Sequence, residues 1–311
     1  MSIPVVDFSA CSLTVEDISR ADLSHLSRDI RTAFTDVGFV FLENTGITQA
    51  EVDAVMDASR RFFLQPDHMK RPLSRKTFPN CANHGWVALE TERLNPQKPG
   101  DLKEAFNMSS LHPDIKWPSP EIVVGFQESQ MAFFQHCKEL SLRILKVMAH
   151  SLDLDPDVFL SAHRLIGTDE NGTTLRSLYY PPVNRELAKD GQLRCGEHSD
   201  YGSITLLFQS SEGLQVRQRS GEFICAPCVP GAVLVNIADL MQRWTSDRFV
   251  SVLHRVLLPP AGDSSTRQSL AFFVQPDDEA VITCIDGSNK YPPVQGGTYL
   301  TERFNDSYGQ A

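Results

Sequence analysis

The stretch Gly196-Glu197-His198-Ser199-Asp200-Tyr201-Gly202-Ser203-Ile204-Thr205-Leu206-Leu207-Phe208-Gln209 decides how this chain is to be read. It has the form strand, turn, strand. Side chains of an extended chain repeat with period two, so His198 and Asp200 leave the same face. An imidazole and a carboxylate side by side are two ligands for a divalent metal. The best candidate for a third is His254, in the β-branched segment Ser251-Val252-Leu253-His254-Arg255-Val256-Leu257, which also predicts a strand. Beyond it, Arg267-Gln268-Ser269 leads into the apolar run Leu270-Ala271-Phe272-Phe273-Val274, with Arg267 and Ser269 again on one strand face. A lone His-x-Asp is common at surface turns; it is the further His and the Arg-x-Ser that give it weight.

Two histidines and one carboxylate form the facial triad of non-haem Fe(II) sites, which leaves part of the metal's coordination open. The order His-x-Asp, His, Arg-x-Ser resembles the isopenicillin N synthase-like family of Fe(II)/2-oxoglutarate-dependent dioxygenases. Further similar blocks are Asn236-Ile237-Ala238-Asp239-Leu240-Met241-Gln242-Arg243-Trp244-Thr245, Leu253-His254-Arg255-Val256, Gly85-Trp86, Gly100 to Met108 and the closing Tyr299 to Phe304, so the likeness spans nearly the whole chain. Asn44-Thr45-Gly46 departs from the family's usual Asn-His-Gly at a position read as structural.

The resemblance implies a mainly β fold with flanking α-helices, a double-stranded β-helix (jelly-roll) core braced by N-terminal and central helices. It implies Fe(II), 2-oxoglutarate and O2, with ascorbate as a candidate reductant, and a reaction in which 2-oxoglutarate is decarboxylated to succinate while a small organic substrate is oxidised. His198, Asp200 and His254 would be the catalytic metal ligands. Arg267, Ser269 and Tyr180 would hold the far carboxylate of 2-oxoglutarate, since guanidinium binds carboxylate in bidentate fashion. Trp86, Phe106, Asn107, Met108 and Phe273 are candidates to touch the primary substrate; ordinary packing is the competing reading for the aromatic residues and Met108. Asn236 and Asp239 either support the metal ligands from behind or cap strand ends. Two alternatives stay open. Isopenicillin N synthase and aminocyclopropane carboxylate oxidase keep a similar Arg and Ser without needing 2-oxoglutarate, so a 2-oxoglutarate-independent Fe(II) oxidase is one; a non-catalytic small-molecule-binding jelly roll is the other.

Composition narrows the partners. The chain has 311 residues and a formal charge of −10, which argues against holding nucleic acid through phosphate contacts. The clusters Arg60-Arg61 and Lys70-Arg71 with Arg75-Lys76 read as solvated surface. No leader-like or membrane-length apolar run is present, and seven irregularly spaced cysteines suggest reduced thiols, so the expectation is a cytoplasmic, monomeric enzyme acting on a small molecule, away from membranes. Cys225-Ala226-Pro227-Cys228 lacks a second ligand pair and reads as structural.

Along the chain, apolar residues at helical spacing predict helices over about 21–37, from 48 to 63 with Thr48 and Glu51 as a capping pair, and over about 123–152. Residues 66–120 read as irregular with one or two short strands, and from about Thr173 onward short β-type runs predict an antiparallel sandwich or jelly roll. The expected division is 1–122, a helical and loop-rich N-terminal region, and 123–311, the bracing helix with the core, forming one unit. His25, His68, His84, His112, His136, His150 and His163 have no second ligand nearby in sequence.

Overall fold

In the computed structural model, residues 2–16, 19–75, 77, 83–95, 97–109, 111 and 115–308 are described. Lys76 and His112 lie outside them. Strand β1 (Val5–Asp7) leads to helix α1 (Arg20–Asp36), which begins where the Ser19 side chain accepts from the Asp22 amide. The helix ends at Gly38, whose φ of +76° suits glycine and whose missing Cβ lets the backbone of Val250 approach; a Cβ there would lie 2.3 Å from Val250 O. Strand β2 (Phe39–Glu43) follows, then α2 (Gln49–Phe63). Its start is a reciprocal capping box: the Glu51 amide donates to Thr48 Oγ1, and the Thr48 amide to Glu51 Oε2 at 2.8 Å.

The stretch expected to be irregular holds a short helix α3 (Asp67–Lys70) and two short strands, β3 (Gly85–Val87) and β4 (Glu104–Met108). Lys70 corrects the surface reading of its cluster. It is buried, donates to Glu104 Oε2 at 2.6 Å and to Phe63 O, and lies over the Trp86 ring. The long helix α4 (Phe126–Ser151) buries Phe133, Phe134, Cys137, Leu140, Ile144, Leu145 and Met148, one face at helical spacing.

After α5 (Asp157–Leu160) the chain is mostly β: β5 (Thr174–Tyr180), β6 (Cys195–His198), β7 (Ile204–Gln209), β8 (Leu214–Arg217), β9 (Phe223–Cys225) and β10 (Val233–Ile237). Helix α6 (Asp239–Trp244), β11 (His254–Val256), β12 (Arg267–Val274), the pair β13 (Val281–Ile282) and β14 (Val294–Gln295), and helix α7 (Gly296–Tyr308) complete it. An eight-stranded sheet runs β1-β2-β10-β7-β12-β5-β4-β3, and a four-stranded sheet β6-β11-β8-β9 faces it. Strands from before residue 122 and after it therefore share one sheet.

The alternation along each strand sorts the core into two layers. Leu206, Phe208, Leu270 and Phe272 turn outward to the helices, with Phe133 on Phe208 at 5.1 Å and Phe134 on Phe272 at 5.0 Å between ring centroids. Phe39, Phe41, Leu178, Leu234 and Ala271 turn inward to meet Leu214, Val216 and Val256 of the smaller sheet. Two antiparallel layers closing over an inner space, with helices bracing one side, make the jelly roll. Among the described residues no helix is long and apolar enough to cross a membrane.

Candidate active site

The smaller sheet brings the distant histidines together by register: His254 of β11 pairs directly with His198 of β6, their rings 4.3 Å apart between centroids. Asp200 lies on the turn after β6, which α6 anchors from below. The amide of Asp239 donates to Asp200 O at 2.8 Å, and those of Leu240 and Met241 to carbonyls of Tyr201 and Gly202. Asp200 Oδ1 sits 3.7 Å from His198 Nε2 and 3.6 Å from His254 Nε2, and one ligand atom from each residue falls within 4.8 Å of the others.

The hydrogen bonds behind these atoms fit a metal. His198 Nδ1 donates to Gly196 O at 2.8 Å and His254 Nδ1 to Val252 O at 3.0 Å, which leaves each Nε2 lone pair for an ion. Asp200 Oδ2 accepts from Thr205 Oγ1 at 2.6 Å and Asn236 Nδ2 at 2.8 Å, so Oδ1 is the oxygen turned to the imidazoles. Burial, reinforced by the neighbouring His254, pushes His198 down to about 3 and keeps it neutral. Burial opposes charge on Asp200, but both imidazoles and the Thr205 hydroxyl outweigh it and hold the carboxyl well below its usual range. Burial likewise opposes charge on His254, yet the Asp200 carboxylate prevails and raises its pKa. A cation bound here displaces that proton. The donor set, two nitrogens and one carboxylate on one side, suits Fe(II).

Two adjoining cavities, of about 70 and 60 Å³, meet at His198, Asp200, Arg176 and Phe273. The inner one runs between the sheets to Arg267, Ser269 and Tyr180. Arg267 is 1% exposed. Its nitrogens donate to Gln209 Oε1 at 3.0 Å and Ser211 O at 3.2 Å, and its guanidinium stands 4.9 Å from the Tyr180 ring centre. Among the described residues no carboxylate pairs with it. A buried cation without a counter-ion, in a cavity shared with the metal ligands, is a seat for an anion.

The outer cavity is lined by Asn83, Asn107, Arg176, Tyr201, Phe273 and Phe304, among others. Asn107 and Phe273 thus stand where the sequence expected substrate contacts. Trp86, Phe106 and Met108 do not, because strand parity sends them the other way: Asn107 pairs with Arg176, whereas Phe106 and Met108 pair with Ser177 and Leu175 on the opposite face. Phe106 is enclosed by Phe62, Phe126 and Trp117, Met108 joins the helix-facing core, and Trp86 Nε1 donates to Glu104 Oε2 at 2.7 Å. Asn236 touches a metal ligand directly. Asp239 accepts instead from Ser251 Oγ at 2.7 Å and Ser199 Oγ at 3.0 Å, pinning together the two segments that carry the ligands.

Sequence reasoning missed a buried charge cluster beside the cavities. Lys103 Nζ lies 2.9 Å from Glu92 Oε2 and also meets Asp101; Arg176 grips Glu92 through both terminal nitrogens at 3.0 and 2.9 Å. Burial works against charge on Lys103, but Glu92 and Asp101 outweigh it and its pKa rises well above the ordinary lysine value. Asp101 Oδ1 accepts from the Gly196 amide at 3.0 Å, so the cluster anchors the strand that bears His198. The signal available was alternation: Lys103, Ala105 and Asn107 share a face, and Arg176 is the one charge in the strand Thr174–Tyr180. Of the isolated histidines, His84 and His163 are buried, and His136 pairs with Glu51 at 2.7 Å.

Residues 171–276 match the model of the 2OG-Fe(II) oxygenase superfamily, and residues 3–122 the model described as non-haem dioxygenase in morphine synthesis N-terminal. The chain belongs to the 2OG-Fe(II) oxygenase superfamily. The oxygenase is 32% identical over 267 residues to a proline hydroxylase of Petromyces alliaceus, covering 80% of this chain and 81% of the relative. It is 28% identical over 329 residues to a 2-oxoglutarate-dependent dioxygenase of Aspergillus rugulosus, covering 97% and 96%. Among solved structures, a full-length Neurospora crassa protein crystallised with alpha-KG (2-oxoglutarate) and thymine superposes with a TM-score of 0.85 at 32% identity, over 98% of this chain and 96% of that one. The oxygenase is a 2-oxoglutarate-dependent dioxygenase, an oxidoreductase using Fe(II), 2-oxoglutarate and O2 on a small-molecule substrate.

Proposed function

We propose that this oxygenase hydroxylates a small, neutral, planar ring of about the size of a pyrimidine base, bound in the outer cavity while 2-oxoglutarate occupies the inner one. The observation that carries the division of labour is Arg267, a buried guanidinium with no carboxylate partner among the described residues, at the far end of the cavity that the metal ligands close. It takes the far carboxylate of 2-oxoglutarate, aided by the hydroxyls of Ser269 and Tyr180. Burial raises the Tyr180 pKa, so its hydroxyl keeps its proton to donate.

His198, Asp200 and His254 hold Fe(II), which when bound supplies the redox chemistry that couples O2 reduction and loss of CO2 from 2-oxoglutarate to substrate oxidation. The balance is one oxygen atom into succinate and one into the C–H bond of the substrate. Asn236 and Thr205 keep Asp200 Oδ2 occupied so that Oδ1 stays aimed at the ion. Phe273, Tyr201 and Phe304 offer aromatic faces to a flat ring. The thymine held by the Neurospora crassa relative supports a substrate of this size. All of these residues come from one chain, so a monomer suffices, and the reducing cytosol suits both Fe(II) and the free cysteines.

The test is succinate release from 2-oxoglutarate with Fe(II) and each of thymine, uracil and cytosine. Stimulation by a pyrimidine base, with a hydroxylated product in equal amount, is expected. Succinate release unaffected by every base, but stimulated by proline or another non-aromatic substrate, overturns the assignment of a planar ring as substrate.

A further inference from the structure

The asparagines in the wall of the outer cavity are held in a fixed sense. Arg75 Nε donates to Asn83 Oδ1 at 3.0 Å; a guanidinium nitrogen can only donate, so the atom it meets is the amide oxygen. Asn83 Nδ2 donates to Thr174 Oγ1 at 3.1 Å, and that hydroxyl passes its own proton to Gly172 O at 3.1 Å. The Asn107 atom that meets Asn83 Oδ1 at 3.3 Å is therefore Nδ2. Asn107 Oδ1 is left on the other side. The residue is 2% exposed, lines the cavity, and this oxygen has no hydrogen-bond partner among the described residues. A buried acceptor left unmade in a binding cavity is an acceptor waiting for a ligand's donor.

The neighbouring charges say what kind of donor. Glu92 and Asp101 are matched by Lys103 and Arg176 within the cluster, so this wall offers no net charge to a substrate. Across the sheet, Arg176 of β5 pairs with Asn107, and Thr174 of β5 with Phe273, which puts the Phe273 ring on the same inner face. Asn107 and Phe273 thus line one cavity from the same inner face of the sheet.

We propose that Asn107 is the specificity-determining residue of this oxygenase, its Oδ1 accepting the N–H of a neutral cyclic amide and so selecting rings that carry that N–H over their N-methyl forms. This rests on the reading of the outer cavity as the substrate site, but not on the substrate being a pyrimidine.

The test compares thymine, 1-methylthymine and 3-methylthymine, by succinate release and by calorimetric binding to the Fe(II) and 2-oxoglutarate form without oxygen. Methylation of one of the two ring nitrogens weakens binding about tenfold or more in the wild type. Asn107→Leu raises KM for thymine and brings the methylated and unmethylated rings to near parity. If thymine does not bind, the pyrimidine assignment fails alone, and the comparison passes to uracil, hydantoin and 2-pyridone against their N-methyl forms. The proposal is overturned if no cyclic amide binds, if wild type binds N–H and N-methyl forms alike, or if Asn107→Leu weakens both forms equally.

Discussion

Asn236 Nδ2 donates to Asp200 Oδ2 at 2.8 Å, from a strand of the large sheet to the turn after the small one. The bond fixes which carboxylate oxygen faces the histidines. Asn236→Ala leaves Thr205 as the other donor and lets the carboxylate rotate. Iron affinity should fall by about 10- to 100-fold, the usual cost of losing an outer partner of a ligand. Titration of Fe(II) against activity reads this directly; unchanged affinity would show that Thr205 alone suffices.

Removing a ligand itself is more severe. His254→Ala and Asp200→Ala should each abolish stoichiometric Fe(II) binding and substrate oxidation. They should also abolish the rise in Tm that a tightly bound ion gives wild type, because an ion bound only to the folded state stabilises it. A chelator should remove both the activity and the Tm rise from wild type, and Fe(II) should restore them.

Arg267→Leu removes the anion seat but not the metal. KM for 2-oxoglutarate should rise at least about tenfold, since a hydrogen bond to a charged group contributes about 1.5–3 kcal/mol, with Fe(II) binding retained. Equal 2-oxoglutarate affinity in wild type and variant would disprove the role given to this guanidinium.

Lys103 stands between Glu92 and Asp101, all three buried. Lys103→Met takes the cation from buried Asp101 and leaves Glu92 with Arg176 alone, and removing one partner of a buried ion pair costs about 3–5 kcal/mol. Urea unfolding should show a loss of that order, and the Gly196 anchor beneath His198 should loosen with it. A loss under about 1 kcal/mol would disprove the structural role given to Lys103.

The pH dependence of stability has a definite sign at His163. Its Nδ1 donates to Phe159 O at 2.7 Å and its Nε2 accepts from Ser203 Oγ at 2.8 Å, and burial pushes its pKa down from 6.5 to about 4. The unfolded chain therefore takes up this proton first as pH falls. Stability from His163 is full above about 6.5 and drains away towards about 4, with a slope of up to about 1.4 kcal/mol per pH unit. The stability gap between wild type and His163→Gln should narrow from pH 7 to pH 5, measured by urea midpoints; a constant gap would refute the assignment.

What could be read from the sequence followed periodicity. The Thr48 and Glu51 capping pair, the apolar face of α4 and the His198-x-Asp200 spacing are local patterns, and each appears in the structure where the spacing put it. Side-chain direction in the irregular 66–120 segment was not legible, because a block of neighbouring residues was taken together where a strand divides it. Phe106 and Met108 went to one layer and Asn107 to the other for that reason. The Lys103, Glu92 and Arg176 cluster joins residues far apart in the chain, and no local rule foretells such a meeting.

Strand β12 carries Arg267 at one end and Phe273 near the other, both on its inner face, with Leu270 and Phe272 on the face that meets the helices. At about 3.4 Å per residue the two sites are spaced by a single rigid ruler about 20 Å long. Loss or gain of one codon between them would reverse one end relative to the other, sending either the anion seat or the aromatic floor into the helical layer. Drift in substrate preference within this lineage must therefore proceed by exchange of side chains and by change in the loops, since the length of this segment is closed to variation.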